Sequence, residues 1–295
     1  MFMDARKKGL VMVCLGASMW GGSGVAGQYL LQDCGFSTAW LVVSRMLLAG
    51  IILLAIDMCR YKESILRVWN DKKDAWDLLV FAILGLLAVQ YTYFACIKYG
   101  NAAAATVLQY LMPIFIVGYT AAVSRKLPQY IELICVAMAV GGTFLLVTHG
   151  TLQELSISLT ALWWGLASAV AAAVYTMKPK RLIRKWRPTL IIGWGMLVGG
   201  IFLLPVCPPW QFTGEWNMLS GIIYAYIIIF GTVTAFGFYL GSIKYIQPAE
   251  ASILGSVEPL AAIILSILFL QASFGIMDFL GTFLIIGTVF LLAKR

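Results

Sequence analysis

Ten stretches of this 295-residue chain are each long and apolar enough to cross a lipid bilayer, and nothing else in the sequence constrains its fold as strongly. A helix needs about 20 mostly apolar residues to span about 30 Å of hydrocarbon. The runs lie at roughly 9–31, 38–58, 76–97, 102–124, 129–147, 156–177, 190–206, 218–243, 248–270 and 274–293. None shows the alternating ten-residue pattern of a membrane β-barrel, and the connections leave no room for a soluble domain. Composition agrees. Apolar residues make up 61% and charged residues 12%, with a mean hydropathy of +0.90, against about 45–50% and about 25% in soluble domains. The expected fold is an all-α integral membrane protein of ten transmembrane helices. The first run follows a basic start, Arg6, Lys7 and Lys8, but is too long for a signal-peptide core and is expected to remain as an uncleaved span.

Charge placement tests that count. With the N-terminus inside, the cytoplasmic segments collect Arg6, Lys7, Lys8, Arg60, Lys62, Arg67, Lys72, Lys73, Arg125 and Lys126. They continue with Lys178, Lys180, Arg181, Arg184, Lys185, Arg187, Lys244, Lys294 and Arg295, nineteen of the 21 Lys and Arg. Lys98 is the one on the outer side, and Arg45 lies within the second span. This obeys the positive-inside rule with both termini cytoplasmic. One missed or surplus helix would scramble the alternation. The formal net charge of +8 therefore reflects topology and attraction to anionic lipid headgroups, not a nucleic-acid partner.

Several chemistries lack their residues. Six Cys occur without a C-x-x-C pair, and His149 is the single histidine, so zinc sites and Ser-His or Cys-His relays are not expected. No G-x-x-x-x-G-K-[ST] or H-E-x-x-H pattern is present. No metal or cofactor is expected, and the chain does not read as an enzyme.

The sequence also repeats itself. Met46–Leu54 matches Met196–Leu204 at six of nine positions, and Ile97-Lys98-Tyr99 recurs as Ile243-Lys244-Tyr245. At that same offset of 146, Ala103 meets Ala249, Ala105 meets Ala251, Leu108 meets Leu254 and Pro113 meets Pro259; Gly142-Thr143 corresponds to Gly287-Thr288. The expected units are two five-helix repeats, residues 9–147 and 156–293. Five is odd, so the second enters the membrane upside down. Such a 5+5 inverted-topology repeat frames a central site with a gate on either side.

In these features the chain resembles the drug/metabolite transporter superfamily, specifically its ten-span EamA-type carriers, over essentially its whole length. The resemblance rests on Trp20-Gly21 followed by Ser23, on Arg45 before Leu-Leu-Ala-Gly, and on Ile97-Lys98-Tyr99 running through alanines to Pro113. It rests also on the counterpart ending in Glu258-Pro259 and on the closing helix with Gly281 and Gly287. The family often carries a Glu soon after the fourth and ninth spans. Arg125 and Gln271 occupy those places here, so no role for that acid is carried over. The resemblance implies a carrier of the bacterial cytoplasmic membrane, often one exporting amino acids or related small metabolites.

The residues themselves mark where transport would occur. Glu258 lies about 15 Å into the ninth span, near the midplane. A carboxylate there costs several kcal/mol unless it is paired, protonated or facing a wet cavity. It is read either as a proton-coupling group, as the partner of a substrate ammonium, or as an acid that locks helices together. Pro113 and Pro259 lie mid-span and free the carbonyls of Gln109 and Gly255, so kinks that line a cavity are expected. Trp20 shares a helix row with Gly16, Gly24 and Gln28. Ser23, Gln90, Tyr93, Gln109, Tyr175, Trp194 and Tyr239 add polar and aromatic lining. Arg45 either snorkels to the outer interface or grips a substrate carboxylate. Trp40, Trp76, Trp210 and Trp216 are read as interfacial belt residues, Glu250 as a helix-start acid, and Asp57 and Asp278 as span-end acids reaching water. Cys34 and Cys207 fall on the outer side, where a disulfide is open to test.

The expected function is secondary transport of small organic metabolites by alternating access, most simply export of amino acids, with a proton as coupling ion. Its partners are a small-molecule substrate and membrane lipids. Alternatives are a multidrug exporter of lipophilic cations and, in a different class, an intramembrane enzyme or lipid-handling protein.

Overall fold

A computed structural model describes residues 5–125, 129–149, 157–212, 214–246, 251 and 254–293. Lys126, Pro248, Glu250, Lys294 and Arg295 lie outside the described residues. Among the described residues there is helix and no strand. Seven helices are long and apolar enough to cross a membrane by length and composition. They are α1 (Ala5–Asp33), α2 (Thr38–Tyr61), α3 (Lys72–Tyr99), α4 (Ala102–Val123), α5 (Tyr130–Thr148), α6 (Leu159–Lys185) and α8 (Met218–Ser242). Shorter apolar helices are α7 (Pro188–Leu203), α9 (Val257–Leu270) and α10 (Ile276–Thr288).

Local sequence explains the helix ends. Ser37 caps α2 by accepting the Trp40 amide at 3.0 Å, Asp71 caps α3 through the Lys73 amide, and Asn217 forms a capping box with Ser220 at the start of α8. Each satisfies donors that the first turn cannot. Lys62, Arg125, His149 and Gln271 end helices with φ near 50°, in the left-handed conformation that closes a helix C-terminus. Arg125 and Gln271, where the family often has an acid, are thus caps at positions related by the repeat offset.

Packing is pairwise. α2 lies along α7, α3 along α6, and α1 against α8 and α9. At the periphery α5 crosses α10 through two glycines: a Cβ on Gly142 would stand 2.7 Å from the Gly281 carbonyl oxygen, and one on Gly281 2.6 Å from that of Gly142. Small residues allow this approach. Elsewhere on this pair Val140, Phe283 and Leu280 face outward, as lipid-contacting side chains do.

The two ends of the bundle differ. At one end, which carries the basic clusters, ion pairs join α2 and α3 to α6 and α7. Arg187 grips Asp57 at 2.8 Å and Glu63 at 2.7 Å and lies over the Tyr61 ring. Thr189 donates a further bond to Asp57. Arg181 holds Asp74 and Asp77, and Lys185 holds Asp74 and Asp71. At the other end Phe36, Trp40, Phe212, Trp216 and Tyr224 pack edge to face. Trp40 donates its indole N–H to the Pro209 carbonyl at 2.9 Å, and the Glu215 amide bonds the Cys34 carbonyl.

Two sequence expectations change here. Trp40 is not a belt residue but is buried within this cluster; Trp76, Trp163 and Trp210 are well exposed. Asp57 and Asp278 do not reach water: both are buried, paired to Arg187 and His149 respectively. Cys34 and Cys207 are both free thiols.

The hydrogen bonds that Arg187 donates to Asp57 hold its guanidinium above its ordinary pKa, against the desolvation that lowers it. Lys185, helped by the Lys73 and Asp74 amides, holds Asp71 below the usual carboxylate range. The Asp71 contribution is therefore complete at neutral pH and is lost as pH falls through that lowered value. Arg187→Met strands the buried Asp57 carboxylate and is expected to cost about 3 kcal/mol, read as a lower thermal unfolding midpoint in detergent. Arg67→Met removes only an exposed 4.0 Å contact with Glu63 and is expected to cost under about 0.5 kcal/mol.

Candidate functional site

Breaks in otherwise regular helices create the site. α4 runs as two pieces, Ala102–Gln109 and Met112–Ser124, with Tyr110 and Leu111 between them at ψ near 0°. Pro113 cannot donate to Gln109, so the ladder stops there. The same happens in the second half: Ser256 turns at φ −64°, ψ −4°, and α9 resumes at Val257 with Glu258 and Pro259 in its first turn. Two further irregularities are π-helical turns, Phe81–Leu87 in α3 and Ile229–Thr234 in α8. Such turns widen the backbone and cluster at functional sites.

The α4 and α9 breaks and the α3 π-turn reach a cavity of about 250 Å³, through Tyr110, Gly255 and Leu86. Of the residues singled out in the sequence, Trp20, Ser23, Arg45, Gln90, Tyr93, Gln109, Pro113, Tyr175, Tyr239 and Glu258 all line it. Trp194 does not. It donates its indole N–H to the Ile65 carbonyl at 2.9 Å and packs on Trp69, near the basic end. Pro259 is buried behind Glu258 and does not line the cavity. A second cavity of about 470 Å³ shares Tyr175, Thr176, Phe236 and Tyr239 and runs to Pro179, Pro188 and Lys244 at the basic end.

Each wall has a physical basis. Trp20 stands 5.1 Å from both Phe236 and Tyr239, forming an aromatic face. Tyr175 stacks on Phe81 of the α3 π-turn. Thr106 donates to the Ala102 carbonyl and so accepts the Tyr93 hydroxyl at 2.8 Å. Gln109 donates to Ser168. Gly21 lets α9 come close: a Cβ there would meet the Glu258 carbonyl oxygen at 2.5 Å.

Arg45 does not snorkel. It is 4% exposed, and its guanidinium reaches the π-turn of α8, donating to Thr232 Oγ1 at 2.8 Å and to the Gly231 carbonyl at 3.1 Å. Thr232 in turn donates to Ile227 O. The cation also lies 5.1 Å from the Phe94 ring, a favourable placement over a π face. Glu258 accepts from the Tyr110 hydroxyl at 3.3 Å, and the same hydroxyl lies 2.6 Å from the Gly255 carbonyl.

Tyr110, Thr176 and Phe236 escaped the sequence reading. A signal existed for Tyr110: Pro259 frees the Gly255 carbonyl, which must find a donor in the membrane. Tyr110 lies next to the corresponding break in the other half.

An all-helical chain with several membrane-length helices, broken around an internal cavity of polar and aromatic side chains, is the architecture of a membrane transporter. The chain belongs to the EamA-like transporter family, whose profile matches it twice, over residues 7–148 and 159–294. It is 40% identical over 294 residues to a Salmonella typhimurium protein named as an uncharacterized inner membrane transporter, YicL; the match covers 99% of this chain and 97% of that one. Protein PecM of Dickeya dadantii is 26% identical over 182 residues, 52% of this chain and 61% of its own. A crystal structure of a protein 19% identical in sequence superposes with a TM-score of 0.64 over 99% of this chain and 98% of that one, a likeness of fold.

Gly21→Val is expected to force α1 from α9 and cost about 1–3 kcal/mol, measurable as a fall in the thermal unfolding midpoint. Leu15→Met on the same helix, at a side chain exposed away from that contact, is the control and is expected to change it by under about 0.5 kcal/mol.

Proposed function

We propose that this transporter exports small zwitterionic metabolites, amino acids or close relatives, by alternating access coupled to protons. One observation carries the reading: Glu258 and Arg45, of opposite formal charge, line the same aromatic cavity between broken helices. A carboxylate suits a substrate ammonium, a guanidinium suits a substrate carboxylate, and the aromatic face suits an apolar side chain. Arg45 also weighs against the runner-up. A permanently cationic drug would gain from Glu258 and from the rings, but would meet the Arg45 charge in the same low-dielectric space.

In this proposal ten helices span the inner membrane with both termini in the cytoplasm. Residues 9–147 and 156–293 form two five-helix repeats of opposite orientation. The lysines and arginines at one end support that orientation. The continuation of the cavity toward the same end supports loading from the cytoplasm, and hence export. Glu258 would carry the coupling proton when it is not facing substrate. Pro113 and Pro259 would let the two broken helices bend as access alternates.

The test is a solute screen in reconstituted vesicles at set pH gradients. Saturable transport is expected for zwitterionic amino acids, with competition among them and none from quaternary ammonium ions. Glu258→Gln is expected to reduce it about tenfold to a hundredfold, the equivalent of one charge-assisted contact, and to abolish its dependence on the pH gradient. Competition by quaternary ammonium ions alone would favour the drug-exporter reading; full transport by Glu258→Gln would reduce Glu258 to a packing acid.

A further inference from the structure

Tyr110 has one hydroxyl hydrogen and two acceptors. Its oxygen lies 2.6 Å from the Gly255 carbonyl and 3.3 Å from Glu258 Oε2. Neither acceptor is incidental. Gly255 O is the carbonyl that Pro259, lacking an N–H, cannot serve. Glu258 is the acid of the cavity, which Arg45, Tyr93, Tyr175 and Tyr239 also line. Tyr110 and Gly255 sit at the breaks of α4 and α9, so this hydroxyl ties the two broken helices together.

We propose that Tyr110 is a positioning residue that converts the charge of Glu258 into a change in the backbone of the α9 break. When Glu258 is ionised and unpaired, the tyrosyl O–H turns to the carboxylate, the stronger acceptor. Gly255 O then loses its donor inside the membrane, where an unserved carbonyl is costly, and the break must flex or admit water. When Glu258 is protonated, or neutralised by a substrate ammonium, the O–H returns to Gly255 O and pins the break. No covalent bond changes; the hydrogen stays on the tyrosyl oxygen and only the O–H direction turns. The 2.6 Å contact to the carbonyl corresponds to the pinned arrangement.

The device exists on one side only. At the repeat offset Tyr110 corresponds to Ser256, whose hydroxyl is buried without a hydrogen-bond partner among the described residues. Glu258 corresponds to Met112. The opposite break therefore has neither a long donor nor a charge to read.

The proposal rests on Glu258 being the charge-changing group of the site, but its test needs no transported solute. Hydrogen–deuterium exchange across residues 254–262 would be followed in the full-length protein in lipid nanodiscs at one alkaline pH. The samples are wild type, Glu258→Gln as the neutral mimic, Tyr110→Phe and the double variant. With Tyr110 present, Glu258→Gln is expected to slow exchange about fivefold, the worth of one hydrogen bond. In the Tyr110→Phe background that response is expected to vanish, while exchange in α2 and α7 stays unchanged in every sample. An equal response in both backgrounds would overturn the proposal, as would none with Tyr110 present. If Tyr110→Phe does not fold, the absence of a response to Glu258→Gln in the wild-type background still overturns the proposal. A failed solute screen with a positive exchange result would reject the substrate reading and leave this coupling standing.

Discussion

Inside hydrocarbon a backbone carbonyl or amide without a partner costs several kcal/mol, and the placement of side chains in this protein follows from that constraint. At several interruptions of the helical ladder a polar side chain arrives from another helix. Arg45 serves the Gly231 carbonyl at the π-turn of α8. Tyr110 serves the Gly255 carbonyl. Gln28 accepts the Ala102 amide, and Gln32 donates to the Ile97 and Gly100 carbonyls around the link between α3 and α4. The cavity and the repair of the backbone thus share residues. Arg45 and Tyr110, which line the cavity, also hold helices in their broken forms.

The two halves share this backbone plan but not its chemistry. Gly195 stands where the repeat places Arg45, and a Cβ on it would meet Leu86 and Phe81, residues of the α3 π-turn. Arg45 meets the α8 π-turn in the same way, but with a charge. Met112 stands opposite Glu258 and Ser256 opposite Tyr110. All three polar members come together around one cavity although they are drawn from both halves. In the proposed mechanism, symmetric bends with asymmetric charge would let the two ends of the bundle share a movement while responding to different signals.

Much of this was legible in the sequence, and the misses have a common cause. Apolar length marked the helices because the membrane demands it, and mid-span prolines marked the breaks at Tyr110 and Ser256 because proline lacks an N–H. Ten of the twelve residues singled out line the cavity, since a polar side chain far from water has few other places to go. The misreadings concern residues near helix ends, where sequence position alone does not separate water from protein. Asp57 and Trp40 each lie within reach of an interface, yet each is buried against a partner distant in sequence: Arg187 and Pro209. Trp194 was misplaced for the same reason. Tyr110 was missed because nothing local distinguishes it; its importance depends on a carbonyl in the other half.

The glycine crossing of α5 and α10 also bears on how the molecule is made. Each helix offers the other a groove that no other helix in the bundle fills so closely. Translation completes α5 long before α10 exists, so its small-residue stripe leaves the ribosome without its mate and faces lipid while the intervening helices insert. That contact joins residues far apart in the chain and must await the late arrival of α10, the kind of non-local pairing that slows assembly. Until then α5 offers neighbouring chains the surface that α10 later covers, which makes the interval before α10 inserts the period of greatest exposure to misassembly and quality control.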